Sequence, residues 1–481
     1  MLLPILVPAL LLFQASSPAA QAPAPRAKQA RSAVTAPAVH VPVLTEVQKL
    51  AKDLGTRLAR VMQSGRWGVL VVSLSHGDTL FDRNPDEQLL PASTMKLFTS
   101  AVALDRFGPG GTFKTEVLRA GAIGEDGVLR GDLVLRGAGD PTLSGRANDE
   151  GGEPAMEALA RLVAEAGVQR VSGNIVGDAS AFEERRVPDG WLARYLQASY
   201  AARVSALSFN ENRITVVVRP VGRSTEVSFD PAVNGVQVWS DVKVVGGSRG
   251  GRIAASEDAD GRIRVSGWIG ALSGGRTYAL NVEHPELFAA GALRAALIAR
   301  GVVVEGVAVA ATAPNDAVAI ATLSSPTLDK LIAQMNVHSN NHFAELLFRN
   351  AARVDGGAGS AENGNSLLRR FLTEKANVQP SVVFAADGSG LSTLDRVTPR
   401  AMVQLLDYAR RAPWGPALEE SLPVAGETET LSRRMRGTAA RGNLHAKTGS
   451  TNEVASLGGY VTARNGEQLA FSFIYNGDNP W

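Results

Sequence analysis

The folded part of the chain begins with a helical repeat followed by strand-like runs. After Thr45, a suitable N-cap, apolar residues recur at helical spacing up to Val61, and Gly65 ends the pattern. Residues 68–75 (Gly-Val-Leu-Val-Val-Ser-Leu-Ser) are predicted to form a strand, which turns at residues 76–78 into a second, short strand. This segment therefore has the pattern of a helix packed near a hairpin.

A segment without a polar face comes next. Residues 91–96 (Pro-Ala-Ser-Thr-Met-Lys) open a predicted helix that runs to about Phe107, and its side chains are apolar nearly all round. A helix of this kind is normally buried in the centre of a domain. We therefore expect it to lie inside a core.

Short strand-like runs dominate the middle of the chain, from about Thr112 to Pro314. Two amphipathic helices interrupt them, near residues 155–166 and 285–299, and each is followed by a glycine suited to a C-cap. Residues 220–275 are Gly-rich and strand-like, and we interpret them as a small nested module.

The helical pattern returns from Thr327. Thr398-Pro399 is a good helix start, with proline at the first position. The runs at 454–463 and 468–475 flank Asn465-Gly466, which is a strong hairpin signal. We see no internal repeat.

These patterns predict a domain that is interrupted by a long insertion. Residues 44–111 and 315–481 are interpreted as the two parts of one domain of helices and strands. Residues 112–314 are interpreted as inserted, β-rich domains.

The N-terminus indicates export from the cytoplasm. The apolar run from Leu2 to Phe13 is too short to cross a bilayer and precedes Ala20-Gln21-Ala22, a cleavage-site pattern. We predict a signal peptide over residues 1–22 and an Ala/Pro-rich linker over residues 23–43. No Lys or Arg precedes the apolar run, so an uncleaved anchor is the alternative. The expected location is the periplasm or another extracytoplasmic space, with peripheral membrane association as a possible feature.

Composition excludes several classes of protein. The 481 residues are 45% hydrophobic and 20% charged, which is ordinary for a folded chain. Lys plus Arg is 49 and Asp plus Glu is 47, so the balance argues against a nucleic-acid partner. The chain contains 0 Cys, which excludes disulfides, thiolate metal sites and a cysteine nucleophile.

Ser93 and Lys96 form a candidate nucleophile and base. At positions i and i+3 of a helix, they share one face. A serine hydroxyl needs a base nearby, and a lysine in a low-dielectric site can have its pKa lowered enough to serve. The pattern alone is weak, because Ser240 and Lys243 repeat it in a strand-like context, where such residues face opposite sides.

Two further short motifs complete a set. Ser339-Asn340-Asn341 is expected in a turn between two helices, where the Ser339 hydroxyl and the Asn341 amide could face a cleft. Lys447-Thr448-Gly449, followed by Ser450, is expected at the end of an edge strand. There Lys and Thr can bind a carboxylate, and Gly lets a substrate backbone approach closely. Each motif taken alone is more often a turn or a strand end.

The order Ser-x-x-Lys, Ser-x-Asn, Lys-Thr-Gly, each in its structural context, is the signature of penicillin-recognising serine acyl-transferases. Beyond it, four segments resemble the D-alanyl-D-alanine carboxypeptidase/endopeptidase family, the class C low-molecular-weight penicillin-binding proteins: residues 91–97, 137–143, 387–392 and 445–450. The long separation of Ser93 and Ser339 also agrees, since this family inserts two extra domains there. The resemblance covers residues 45 to 477.

The resemblance implies a fold and a set of roles. The fold would be a multidomain α+β structure, with a transpeptidase/β-lactamase-like α/β/α domain and two inserted β-rich domains. Ser93 would be acylated, Lys96 would be its base, Ser339 would relay a proton and Asn341 would position the substrate. Lys447, Thr448, Gly449 and Ser450 would bind the substrate, with the Ser93 and Ser450 backbone N–H groups as oxyanion hole.

The activity implied is removal of the terminal D-Ala from peptidoglycan stem peptides, with cross-link cleavage as a second activity. β-Lactams would act as inhibitors. No metal or organic cofactor is implied, and the oligomeric state is open. The segment at residues 387–392 resembles a family loop near the site, and we expect it to be structural.

Other functions are weighed against this one. A metallohydrolase is disfavoured, since His338 and His342 flank the Ser-x-Asn turn instead of lying on one continuous helix. The Gly-x-Ser-x-Gly at residues 246–250 lacks the helix of an α/β-hydrolase, and the Gly-Ala-Gly after residue 136 lacks that of a dinucleotide site. A β-lactamase or esterase on the same fold and an inactive peptidoglycan-binding scaffold remain alternatives.

One departure from the family concerns its C-terminal helix, which covers the sheet beyond the last strand. This chain stops at Pro480-Trp481, so its C-terminus could be truncated. We therefore predict an exposed apolar patch on one face of the sheet, with a stability penalty.

Overall fold

A computed structural model describes residues 45–61, 64–145, 153–231, 238–258, 262–353 and 357–478. The predicted signal peptide and linker lie outside the described residues. Within those residues, no helix is both long and apolar enough to span a bilayer.

A five-stranded sheet joins the start of the folded chain to its end. Its order is β16-β17-β18-β1-β2. The strands are β1 (Arg66–Ser73), β2 (Thr79–Arg83), β16 (Leu444–Ser450), β17 (Val454–Thr462) and β18 (Gln468–Asn476). β1 pairs antiparallel with β18, so that Val69 lies opposite Phe473. The predicted hairpin around Asn465-Gly466 is confirmed, and β16 lies at the sheet edge as expected.

Helices form the layer on one face of this sheet. They are α2 (Met95–Phe107), α5 (Leu328–Val337), α6 (Asn341–Ala351), α7 (Ala361–Ala376), α8 (Pro399–Arg411) and α9 (Gly415–Glu420). α2 is central, and every residue from Met95 to Leu104 is buried, as its apolar sequence predicts. The predicted start of α8 is confirmed, since the Thr398 hydroxyl accepts a hydrogen bond from the Ala401 N–H at 3.1 Å.

The other face of the sheet is covered, so the predicted exposed apolar patch is wrong. α1 (Glu46–Val61), which begins after Thr45 as predicted, packs Leu54 and Leu58 onto it. Residues between 425 and 440 cover the rest, and sheet residues such as Phe471 and Phe473 are almost fully buried. α1, which precedes the sheet in sequence, therefore helps to cover the face that a C-terminal helix was expected to cover.

A seven-stranded sheet carries the inserted region. Its strands are β3 (Lys114–Ile123), β4 (Val128–Gly137), β5 (Arg170–Val171), β6 (Ile175–Asp178), β13 (Val303–Val304), β14 (Ala308–Ala310) and β15 (Val318–Ser324). The helices predicted here are α3 (Ala155–Glu165) and α4 (Pro285–Ala299). β15 hydrogen-bonds to β3, so this sheet extends to Ser324, beyond the boundary predicted at residue 314.

Two three-stranded sheets lie within this region. One contains β7 (Arg213–Val221), β8 (Ser224–Asp230) and β12 (Arg276–Asn281). The other contains β9 (Val238–Val245), β10 (Gly251–Glu257) and β11 (Ile263–Gly270), in the order β10-β11-β9. Their inward residues belong to the same buried apolar cluster as residues on one face of the seven-stranded sheet.

Candidate active site

A tight turn places Ser93 at the N-terminus of the central helix α2. Residues Ala92–Thr94 form a 3-10 turn that runs directly into α2, and Ala92 has a φ of 47°, which is rare for a residue with a side chain. Backbone strain of this kind costs about 1–3 kcal/mol and persists only where the surroundings impose it. The surroundings of this turn therefore fix the position of Ser93 immediately before the first turn of α2.

Lys96 lies one turn along and is fully buried. Its Nζ lies 3.0 Å from the Ser93 Oγ, 2.7 Å from the Asn341 Oδ1 and 2.8 Å from the Ser389 carbonyl oxygen. The amide and carbonyl oxygens can only accept hydrogen bonds. When Lys96 is neutral, its two N–H groups can satisfy them, and its lone pair then faces the Ser93 hydroxyl.

Burial lowers the pKa of Lys96 to about 7, because water no longer solvates the charged form. Three nearby carboxyl groups, those of Asp387, Glu345 and Asp395, act in the opposite direction and limit the fall. A lysine with a pKa near neutrality can exchange a proton with a substrate or a hydroxyl.

The Ser339-Asn340-Asn341 motif forms the turn between α5 and α6, as predicted. Ser339 has a φ of 55°, and the Asn340 side chain caps α6 by accepting from the Phe343 N–H at 3.2 Å. Asn341 donates from Nδ2 to the Tyr200 carbonyl at 2.9 Å, which leaves its Oδ1 turned toward Lys96. The side chains of Ser339 and Asn341, on either side of Asn340, thus face the cleft.

Lys447 approaches from the edge strand β16. Its Nζ donates to the Ser339 Oγ at 2.9 Å, so the second and third motifs are in direct contact. Burial lowers the pKa of Lys447 well below its ordinary value, and the charge of Lys96 adds to this effect. The three motifs therefore meet through two buried lysines, each bonded to a serine hydroxyl.

Gly449 lies tightly against the segment that carries Ser93. A Cβ built on it would lie 2.2 Å from the Ser456 Oγ, 2.7 Å from the Pro91 carbonyl oxygen and 2.9 Å from the Ser93 backbone nitrogen. The close approach is therefore that of the protein's own turn before α2. Glycine at this position lets β16 lie against the segment that carries Ser93.

The motifs open into a cavity of about 370 Å³. Ser93, Ser339, Asn341 and Ser450 line it, as does a set that the sequence patterns did not indicate: Tyr195, Tyr200, Gly390, Leu391, Thr451 and Asn452. The two tyrosines come from the inserted region, from a segment of short 3-10 turns without periodicity. The two tyrosines reach the cavity because this segment folds back over α6, a long-range contact that no local sequence pattern indicates.

The loop at residues 387–392 is built around Asp387. This buried carboxylate accepts hydrogen bonds from the backbone N–H groups of Ser389, Gly390 and Ser392, at 3.0, 2.6 and 2.8 Å. Trp191 of the inserted region donates to it from Nε1 at 2.7 Å. The Ser389 carbonyl oxygen that meets Lys96 is thereby held in place.

Two more buried carboxyl groups support the same loop. Glu345 accepts from the Gly388 N–H at 3.1 Å, and Asp395 accepts from the Ala386 N–H at 2.8 Å. Burial raises the pKa of Glu345 to about 8 and raises that of Asp395 well above its ordinary value, and the charge of Asp387 adds to both. A raised pKa favours the neutral form of each group, which limits the negative charge buried beside Asp387.

The histidines of the zinc alternative lie in different surroundings. His342 is buried, with Nε2 2.6 Å from the Ser208 Oγ, whereas His338 is exposed near Glu429. Burial lowers the pKa of His342 to about 3. Among the described residues, no group of three or more His, Asp or Glu side chains could hold a metal ion.

Comparisons with known proteins agree on one family. The D-Ala-D-Ala carboxypeptidase 3 (S13) family matches residues 49–480. A D-alanyl-D-alanine carboxypeptidase from Actinomadura sp. (strain R39) is 34% identical, over 94% of this chain and 87% of its own. The carboxypeptidase DacB of Haemophilus influenzae is 25% identical, over 85% of each chain.

A crystal structure of penicillin binding protein 4 from Haemophilus influenzae has a TM-score of 0.75 and 25% identity, and the match covers 90% of this chain and 94% of that one. The expected multidomain α+β fold is thus confirmed. The profile match, the relatives and the fold together show that the chain belongs to the D-Ala-D-Ala carboxypeptidase 3 (S13) family.

Proposed function

We propose that this serine-type D-alanyl-D-alanine carboxypeptidase acts on peptidoglycan stem peptides through an acyl-enzyme on Ser93. The observation that carries the proposal is the 3.0 Å contact between the Ser93 Oγ and the Nζ of the buried Lys96. The enzyme class rests on the family and its relatives. The roles of Ser93, Lys96, Ser339 and Lys447 rest on the geometry of the site, and those of Thr448 and the Ser450 N–H group rest on the family resemblance.

Acylation begins with proton transfer from the Ser93 Oγ to the neutral amine of Lys96. The Oγ attacks the carbonyl carbon of the penultimate D-Ala, and the resulting oxyanion lies between the backbone N–H groups of Ser93 and Ser450. The oxyanion then collapses with cleavage of the C–N bond, and the proton that Lys96 accepted passes through the Ser339 hydroxyl to the amine of the leaving D-Ala. Water hydrolyses the ester and restores Ser93.

Lys447 and Thr448 bind the terminal carboxylate of the substrate in this scheme. A carboxylate beside Lys447 favours the charged ammonium, which offsets the cost of its burial. Recognition of the free C-terminus is then coupled to the proton relay, because Lys447, which binds the carboxylate, also donates a hydrogen bond to the Ser339 hydroxyl that passes the proton. This coupling suits a carboxypeptidase, and cleavage of cross-links is a second activity of the same site.

β-Lactams acylate Ser93 as mimics of the substrate. The relative solved from Haemophilus influenzae is itself a penicillin binding protein. A β-lactamase would need a group that activates water against the acyl-enzyme. Among the described residues that line the cavity there is no carboxylate, although Tyr195 and Tyr200 are present. Slow hydrolysis of the acyl-enzyme is therefore the expected behaviour.

The predicted location outside the cytoplasm follows from the same function, since the polymer is a component of the cell wall. Peripheral association with a membrane stays a prediction, and so does the signal peptide.

The test is the intact mass of the protein after incubation with penicillin. Wild type and Ser240→Ala should each gain one drug molecule, and Ser93→Ala should gain none. Ser240 is a matched control because it begins the other Ser-x-x-Lys of the chain, on β9. Hydrolysed drug without an adduct would identify a β-lactamase. Intact drug without an adduct on wild type would contradict the proposal and favour an inactive scaffold.

A further inference from the structure

The small sheet β10-β11-β9 has one face in a core and one in solvent. Ile253, Ile263, Val265 and Ile269 are buried on the inner face. The alternation along β11 places Arg264, Ser266 and Trp268 on the outer face, and all three are exposed. An outer face of this kind is normally polar.

Two tryptophans lie on this outer face. Trp239 is 52% exposed and Trp268 is 37% exposed. Trp239 pairs in register with Arg264, and Trp268 pairs with Lys243 on β9, so the two rings are four positions apart along adjacent strands. At about 3.3 Å per residue, the separation is roughly 14 Å.

Cations surround the two rings. Arg264 lies over the Trp239 ring at 5.9 Å, Lys243 lies beside Trp268 on one strand and Arg252 lies beside it on the other. Asp241 is the one acidic side chain on the described part of this face, and Asp258 pairs with Arg264 from the strand end. The face is therefore aromatic and carries an excess of positive charge.

We propose that Trp239, Lys243, Arg252, Arg264 and Trp268, here called the tryptophan face, bind the glycan strands of peptidoglycan. The inference rests on the proposed function, which places the reacting peptides on that polymer. Sugar rings expose C–H groups on their flat faces, which pack on aromatic rings, and the carboxylates that the polymer carries complement the cations. Two rings at this separation can engage two sugars of one strand.

A lipid surface fits this face less well. Tryptophans that anchor a protein at a bilayer stand among other apolar residues. Here the positions between the two rings are occupied by Asp241 and Ser266. Burial of an acidic side chain in an anionic interface is unfavourable, whereas a hydrated polysaccharide tolerates it.

The test compares binding to insoluble peptidoglycan by sedimentation, for wild type and the double variant Trp239→Ala/Trp268→Ala. The same measurement uses glycan strands whose peptide stems have been removed, and vesicles that contain phosphatidylglycerol. We expect the double variant to bind both polymers about tenfold more weakly, since each lost aromatic contact is modest by itself. Phe384→Ala, a change at another exposed aromatic residue, should bind as wild type does.

Charge is tested separately with Lys243→Gln/Arg252→Gln, which should weaken binding mainly at low salt. Penicillin labelling and the turnover of a soluble stem peptide should be unchanged in every variant, which shows that each one is folded. Equal sedimentation of the double variant and wild type would overturn the inference. Binding that needs the peptide stems, or that occurs only on vesicles, would overturn it as well. If labelling fails in wild type but tryptophan-dependent binding persists, the proposed function fails and the tryptophan face stands.

Discussion

In the proposed mechanism, the chemistry of the cavity depends on two buried lysines. Lys96 and Lys447 have no access to water, and each contacts one serine hydroxyl. The two lysines differ in their charged neighbours. Burial lowers the pKa of both, but nearby carboxyl groups limit the fall for Lys96, whereas the charge of Lys96 lowers the pKa of Lys447 still further. The same residue type is thereby suited to two tasks, a base and a carboxylate ligand.

The pKa of Lys96 predicts the pH dependence of acylation. With a pKa of about 7, Lys96 is protonated in acid and cannot accept the Ser93 proton. The rate constant for acylation by penicillin should therefore rise with pH through about 7, roughly tenfold per pH unit on the acid side. Stopped-flow or mass measurements of the rate between about pH 5 and pH 9 test this. A rate that stays flat across neutrality would exclude Lys96 as the base.

The element that links these residues to the rest of the site is the loop at 387–392. Its backbone N–H groups are bonded to buried carboxylates, and its carbonyl oxygens at Gly388 and Ser389 accept from Thr99 and Lys96 of α2. Gly390 has a φ of 83°, and a Cβ there would lie 1.8 Å from the Ala92 carbonyl oxygen. The loop and the nucleophile turn thus fit together without room for one extra carbon.

Gly390→Ala should therefore damage both stability and acylation. The added methyl collides with backbone and not with a flexible side chain, so the cost should be about 2–4 kcal/mol of unfolding free energy. The rate of acylation should fall about tenfold or more, because the Ser93 turn must move. Urea unfolding and penicillin labelling measure the two effects.

Gly222→Ala is the matched control for this change. Gly222 also has a positive φ, of 62°, but nothing lies within 4 Å of its added Cβ. It should lose only about 1 kcal/mol and keep the acylation rate. If both variants behave alike, the collision with Ala92 has no consequence.

At the scale of the molecule, the inserted region completes the cavity of the five-stranded unit. Trp191 bonds to Asp387, Ser208 to His342 and the Tyr200 carbonyl to Asn341. Each contact joins the insertion to an element that carries a motif or the loop beside it. The inserted region and the five-stranded unit therefore both contribute to the site.

Trp191→Phe should show how far the insertion supports the site. Phenylalanine keeps most of the buried ring but removes the N–H that Asp387 accepts, at a cost of about 1–3 kcal/mol. The acylation rate should fall severalfold because the loop loses one of its ties. Trp414→Phe, a change at a tryptophan buried in the helical core, should leave acylation unchanged. Equal rates in both variants would show that the loop holds its place without the insertion.

The helices and the terminal hairpin were predicted because each depends on local spacing, whereas the meeting of the three motifs was implied by their order and by the family resemblance. Tyr195 and Trp191 were missed, since their segment has neither a period nor a motif, and their roles arise only from long-range packing. The exposed patch was predicted wrongly for a related reason. The apolar stripe of α1 was recognised, but spacing could not show that this helix packs beside β2 in the cluster that also buries residues of β17 and β18.

The pairing of β1 with β18 also governs when activity can appear. β1 is synthesised long before β18, and the edge of β1 that faces away from β2 stays unpaired until β18 emerges from the ribosome. Closing so long a loop slows folding, and this unpaired edge of β1 needs protection meanwhile. The strand that brings Lys447 likewise arrives late. A nascent chain that lacks these strands therefore has no working site, and the enzyme becomes competent only after β16 and β18 have been made.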